Sequence, residues 1–184
     1  MSMNKNKGIN VADLSKEQRS RKSYGSCVFI SYYHEDRESA IRIADSLMEI
    51  GINVFLDLND KGIEFLAKIG DDKGLVHAIE EALSCCTEIL ILLSDQTSKS
   101  WWVPFEVGYA VNAKKKVTTV RLNNCIVKLP TYLEIEDVVD QRGNFIVYLH
   151  SLISRYHVLY YPEMFVWGEE VIKKGIECIY HEDK

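Results

Sequence analysis

At 184 residues, the chain has the length of one domain with extensions. Apolar residues make up 47% of it and the formal net charge is −5, which allows a full core and argues against a general nucleic-acid binder, a class that is ordinarily basic. No run approaches the roughly 18 consecutive apolar residues of a membrane-spanning helix. The first 23 residues also lack the apolar stretch of a secretory signal, so a cytoplasmic protein with no membrane partner is expected. The five cysteines are Cys27, Cys85, Cys86, Cys125 and Cys178. Their odd number, the adjacent pair and the absence of CxxC spacing make a poor disulfide framework or metal site. They suit a reducing compartment, with no metal.

Residues 1–23 form a polar, basic N-terminal arm, with Lys5, Lys7, Lys16, Arg19, Arg21 and Lys22 set against Asp13 and Glu17. It reads either as a solvated, partly helical tail or as an arm that docks on a partner or an anionic surface. The domain proper is expected over 24–157. Cys27 to Ser31 is a short apolar run ending in a polar residue, as a buried parallel strand reads. Asp36 is placed to cap the next helix. In that helix Ala40, Ile43, Ala44, Leu47 and Met48 recur at helical spacing until Gly51 ends it. Ile52 to Leu56 predicts a second strand ending at Asp57, and residues 58–73 a long polar connection. A helix over Leu75–Leu83 and a strand over Glu88–Ser94 follow, the latter the clearest buried strand in the chain. The segment SKSWWVPFEVGYAV, from Ser98 to Val111, predicts a third helix, and Lys116 to Leu122 a fourth strand.

Beyond Asn123 the pattern weakens. Ile135 to Val139 suggests a fifth short strand, and Asn144 to His157 a helix striped by Phe145, Tyr148, Leu149, Leu152 and Ile153. Residues 158–184 hold Tyr160, Tyr161, Phe165, Trp167, Val171, Ile172 and Ile176. This aromatic extension is expected to pack a last helix on the domain or on a partner. Alternating strands and helices indicate an α/β fold with helices on both faces of a parallel sheet. A flavodoxin-like, doubly wound order 2-1-3-4-5 places the ligand crevice beyond the carboxyl ends of the first and third strands.

Three stretches converge on that crevice: Ser31 to His34, the connection 58–73, and the segment from Ser94 onward. Trp102 and Glu106 are four residues apart and share one helix face. Ser98 or Ser100 can cap the helix, and Pro104 confines its start to about 100–103. On position alone, Glu106 is equally a helix-stabilising carboxylate, favoured by the dipole, or a group placed for chemistry. His34 and His77 have no partner at metal-ligand spacing, and no GxGxxG loop is present. A response-regulator receiver needs a phosphorylatable Asp ending the third strand, where Leu93-Ser94-Asp95 stands instead.

The stretches VFISYYHED (28–36), LDLND (56–60), GDDKGL (70–75) and AIEEALSCCTEILILLSDQTSKSWWVPFE (78–106) occur in that order. Together they resemble the Toll/interleukin-1 receptor (TIR) domain family over about residues 26–150, ending in a WxxxE helix like that of prokaryotic and plant members. The resemblance implies a five-stranded flavodoxin-like domain that self-associates through TIR–TIR contacts. It also implies cleavage of NAD+ as substrate at the nicotinamide–ribose bond, with no separate cofactor. In the many bacterial and plant members that cleave NAD+, the WxxxE glutamate is the catalytic residue, which corresponds to Glu106, with Trp102 as its motif partner. The family's substrate pocket corresponds to Ser31, Tyr32, Tyr33, Asp57, Gly70 and Asp71.

The chemistry accommodates one carboxylate. A glycosidase that expels an alkoxide needs a second carboxyl to protonate it. Nicotinamide leaves a cationic pyridinium as a neutral molecule, so no proton donor is required. A negative charge near the ribose then stabilises the oxocarbenium-like transition state. The other class is a non-catalytic adaptor acting by homotypic contacts; animal adaptors often lack this glutamate, so Glu106 favours the enzyme. Family analogy further suggests a stand-alone bacterial protein resembling the NAD-processing component of Thoeris-type anti-phage systems, whose ADP-ribose or cyclic ADP-ribose product activates a separate effector.

Overall fold

The computed structural model describes residues 7–21, 25–56, 69–122, 125–126, 128–134, 137–139 and 142–156. The expected Asp57, most of the 58–73 connection and the 158–184 extension lie outside them. After a short helix α1 (Lys16–Arg21) come β1 (Cys27–Ser31), α2 (Arg37–Glu49) and β2 (Asn53–Phe55). Then follow α3 (Asp72–Ser84), β3 (Glu88–Leu93), α4 (Trp102–Asn112), β4 (Lys116–Arg121), β5 (Asp137–Val139) and α5 (Arg142–Tyr156). No helix of the described residues is long and apolar enough to cross a membrane.

The parallel sheet runs β2-β1-β3-β4, and at its far side the three-residue β5 lies parallel to β4, with Thr118 opposite Asp137. All five residues of β1 and all six of β3 are buried, because each has a neighbour on both sides and a helical layer on both faces. Alternation along the strands divides the core. Val28, Ile30, Leu90 and Leu92 face α2 and α5, whereas Phe29, Ile89, Ile91 and Leu93 face α3 and α4. Cys27 and Cys86 belong to the second layer, their Sγ atoms 3.3 Å apart as buried free thiols.

Local chemistry sets the element ends. Gly51, at φ 85°, closes α2: its N–H bonds to Met48 O at 2.9 Å and the Ile52 N–H to Leu47 O at 3.0 Å. That pair of bonds needs a left-handed residue between them, the conformation glycine adopts without a side-chain clash. Helix α3 begins three residues before the expected Leu75, because the Asp71 carboxylate accepts from the Gly74 N–H at 3.0 Å and caps it.

A solvated tail does not describe residues 8–19. Gly8 donates to Met48 O at 2.8 Å, and it approaches β2 so closely that a Cβ there would sit 2.0 Å from Ile52 O. The Asn10 side chain accepts from Leu56 N–H at 3.0 Å and donates to Leu56 O at 3.1 Å, and Val11 is fully buried. Arg19, one of the basic residues of the expected arm, is buried; its guanidinium donates to the carbonyls of Val11, Ala12 and Leu14 and lies over the Phe55 ring. Arg19 thereby satisfies the carbonyls of a segment that has no regular ladder of its own.

At the amino end of the sheet the buried Glu88 meets Arg155 Nη2 at 3.2 and 3.3 Å and accepts from the Tyr156 hydroxyl at 2.8 Å. These bonds fasten the end of α5 to β3. Removing the cation strands a buried carboxylate, although Arg155 keeps 35% of its side-chain surface in water. Arg155→Ala is therefore expected to lower the unfolding free energy by about 2 kcal/mol, read by urea denaturation. A loss below about 0.5 kcal/mol would place the pair with ordinary surface ion pairs.

Candidate active site

Helix α4 starts where the Ser100 hydroxyl accepts the N–H groups of Trp102 and Val103, at 3.2 and 3.3 Å. Pro104 is its third residue, a position whose missing N–H leaves no bond unmade. Val103, Glu106, Val107 and Ala110 form the buried stripe, so the acidic residue occupies an apolar face directed at the sheet. Glu106 is only 9% exposed and lies past the first turn. The orphan N–H groups are held by Ser100, so the helix-cap alternative is not what places Glu106.

Its partner comes from β1. Ser31 ends that strand, is buried, and donates from Oγ to Glu106 Oε2 at 2.5 Å. Burial pushes the Glu106 carboxyl up from its ordinary value of 4.5 to about 7, and the Ser31 hydrogen bond opposes that rise. A desolvated carboxyl held by one hydroxyl thus changes charge near neutral pH. Strongly perturbed groups of this kind concentrate at functional sites.

The remaining residues expected at the site divide. Trp102 is half-buried in the α3/α4 layer, edge-on to Phe105 with centroids 6.2 Å apart. Trp101 is 91% exposed, so Trp102 is the packed member of the pair. Tyr32 packs against the opposite, α2/α5 layer, and Tyr33 lies on His34 with centroids 4.2 Å apart. Gly70 has φ +69° just before α3, and the exposed Asp71 is engaged as that helix's cap. Among the described residues of the expected set, Ser31 and Glu106 are joined by a hydrogen bond.

Three residues absent from the expected set stand at the same end of the sheet. Asp36 forms no cap bond to α2, contrary to its expected role. Its Oδ2 accepts instead from Ser94 Oγ at 2.6 Å. The Ser94 N–H donates to Thr97 Oγ1 at 2.8 Å, and Thr97 Oγ1, fully buried, donates to Leu92 O at 3.0 Å. Burial raises the Asp36 carboxyl, with the Ser94 bond opposing. The polar pair at the end of the third strand was a visible hint in the sequence; the partner of Asp36 was not.

A family model and one solved structure agree with this architecture. The family model described as TIR domain matches residues 28–148. Among solved structures, the chain is similar to the TIR domain of a Toll-related receptor from Hydra magnipapillata. That likeness has a TM-score of 0.53 and 18% identity, covering 73% of this chain and 98% of that one. A 3-dehydroquinate dehydratase-like protein from Bifidobacterium longum aligns with TM-score 0.40 and 14% identity over 74% of this chain and 99% of that one. No curated protein sequence matches the chain.

The raised carboxyl has a consequence for stability. With Glu106 at about 7 in the folded protein and near 4.5 when unfolded, the unfolded chain loses this proton first as pH rises. Folding is unpenalised below 4.5 and bears the full penalty above 7, about 3 kcal/mol at most. Glu106→Gln is expected to stabilise the protein by up to that amount at pH 8, with the gain vanishing near pH 4.5. Denaturation at both pH values checks this; a pH-independent difference would contradict a carboxyl held neutral by burial.

Proposed function

The chain belongs to the TIR domain family, and on that premise we propose that it cleaves NAD+ at the bond between nicotinamide and ribose, with Glu106 as the catalytic carboxylate. The observation that carries this reading is the buried Glu106 at the carboxyl end of the sheet, held by Ser31. TIR domains include NAD+-cleaving enzymes, and their chemistry asks for one anionic group beside the ribose. In its ionised form Glu106 accepts from the ribose hydroxyls and stabilises the positive charge that develops as nicotinamide departs. A site already shielded from water strengthens that interaction. The Ser31 hydroxyl aims the carboxylate, and Trp102, in the same helix layer as Glu106, is proposed to offer an aromatic surface to the substrate, with Tyr32 and Tyr33 carried only as family correspondences. Asp57, Gly70 and Asp71 belong to the substrate-binding part of the same proposal.

Water capture of the ribosyl cation yields ADP-ribose, and capture by a nucleophile within the molecule yields a cyclic isomer. By analogy with Thoeris-type systems, that nucleotide is the signal for a separate effector in cytoplasmic anti-phage defence. Self-association through TIR–TIR contacts completes the proposal. The second reading is an adaptor without chemistry. Trp101, 91% exposed, is a side chain that such a homotypic contact would cover.

The assay that separates them incubates the purified protein with NAD+ and resolves products by chromatography and mass spectrometry. Glu106→Gln is expected to lose at least about a hundredfold in kcat. Undiminished turnover in that variant would remove Glu106 from the chemistry, and no turnover in the wild type at any protein concentration would favour the adaptor. Because the ionised form acts, kcat/KM should climb as pH rises through about 7. Ser31→Ala removes the bond that holds the carboxyl down, so its profile should shift to higher pH.

A further inference from the structure

Ser31 and Glu106 lie 75 positions apart on elements that part company where the strands end. Pairing of β1 with β3 continues to Ser31 opposite Ile91. Beyond it, one chain turns through His34–Asp36 into α2, and the other through Thr97–Lys99 into α4. Those two helices belong to opposite layers. The ladder therefore sets where Ser31 sits, while the loop from Ser94 to Trp101 sets where α4 delivers Glu106.

We propose that Asp36 is a positioning residue for this site: through Ser94 it ties the loop after β1 to the loop before α4, holding Ser31 and Glu106 at bonding distance. The inference rests on the reading of Glu106 as catalytic. Asp36 occupies the N-cap position of α2 yet makes no cap bond, a role that ordinarily contributes about 1 kcal/mol. Its carboxylate is turned to Ser94, 58 positions away, at 2.6 Å.

The far end of the tie is anchored. Ser94 Oγ also accepts from the Gln96 N–H at 3.2 Å, and the Ser94 N–H is held by Thr97, which is bonded back to Leu92 at the end of β3. The near end is braced as well, by the Asp36 N–H donating to Tyr33 O at 2.7 Å. A bond between two braced points fixes one loop against the other. A catalytic carboxylate displaced by about 1 Å loses up to roughly a hundredfold in rate, so a tie of this kind acts on turnover more than on affinity.

The test is a set of four variants, Asp36→Ala, Asp36→Asn, Ser94→Ala and the double alanine, assayed for NAD+ cleavage. In parallel, the backbone amide NMR signals of Ser31 and Glu106 are followed. Asp36→Ala is expected to lower kcat about tenfold or more with KM within about threefold. Asp36→Asn, which keeps an acceptor for Ser94, should stay within about threefold of wild type. Ser94→Ala should match Asp36→Ala, and the double variant should be no worse than either, as for two halves of one interaction. Additive losses, an asparagine variant as impaired as the alanine, or an unchanged kcat each overturn the proposal. If the wild type does not cleave NAD+, the catalytic reading fails by itself and the amide signals decide. Movement of the Ser31 and Glu106 signals in Asp36→Ala, reversed in Asp36→Asn, supports the tie; unmoved signals refute it.

Discussion

The direct pairing of β1 with β3 is the constraint on which the rest of the molecule depends. Val28 to Ser31 run beside Glu88 to Ile91, and the strand between them in sequence is sent to the edge. Both central strands are buried on both faces, so the chains leaving their carboxyl ends must diverge into opposite layers. A crevice opens where they part. Polar residues are tolerated there because the ladder has ended and each can find a partner. Ser31, Ser94 and Thr97 all stand within reach of that point, and each is bonded.

Two buried glutamates at opposite ends of this sheet show how environment assigns roles to one residue type. Glu88 has a guanidinium and a phenol around it, so its charge is met by complementary charge and its contribution is architectural. Glu106 has a serine hydroxyl and an apolar helix stripe, and its carboxyl rises to about 7 as a result. A group that weakens the fold above neutral pH is poorly explained by packing. Retaining such groups is the usual cost of a working site. Arg19 and Arg155 are architectural in the same sense as Glu88, fastening a segment and a helix end.

Much of the fold was legible in the sequence. The apolar runs of β1 and β3, the helical stripe of α2 and the glycine that closes it are local patterns, and a local pattern suffices when each residue's environment repeats along its own element. The order β2-β1-β3-β4 is the one the TIR resemblance implied, since alternation of strands and helices by itself indicates a parallel α/β sheet and leaves the strand order open. The start of α3 was misjudged because the cap, Asp71, precedes the apolar stripe by four residues, and periodicity registers only the stripe. Residues 8–19 read as a tail because charge composition does not reveal that Arg19 folds back on the carbonyls of its own segment.

The site divides along the same line. Spacing along a single element is enough to put Trp102 and Glu106 on one helix face and Ser31 at the end of a strand. Long-range packing is what bonds Ser31 to Glu106, turns Tyr32 to the opposite layer from Trp102, and gives Asp36 to Ser94 rather than to its own helix. Each of those contacts joins, or separates, residues many positions apart. Their geometry is the sum of strand register, loop path and helix placement, and no single stretch of chain encodes it. The shifted carboxyl is of the same kind, because desolvation belongs to the assembled surroundings of a residue and not to the residue.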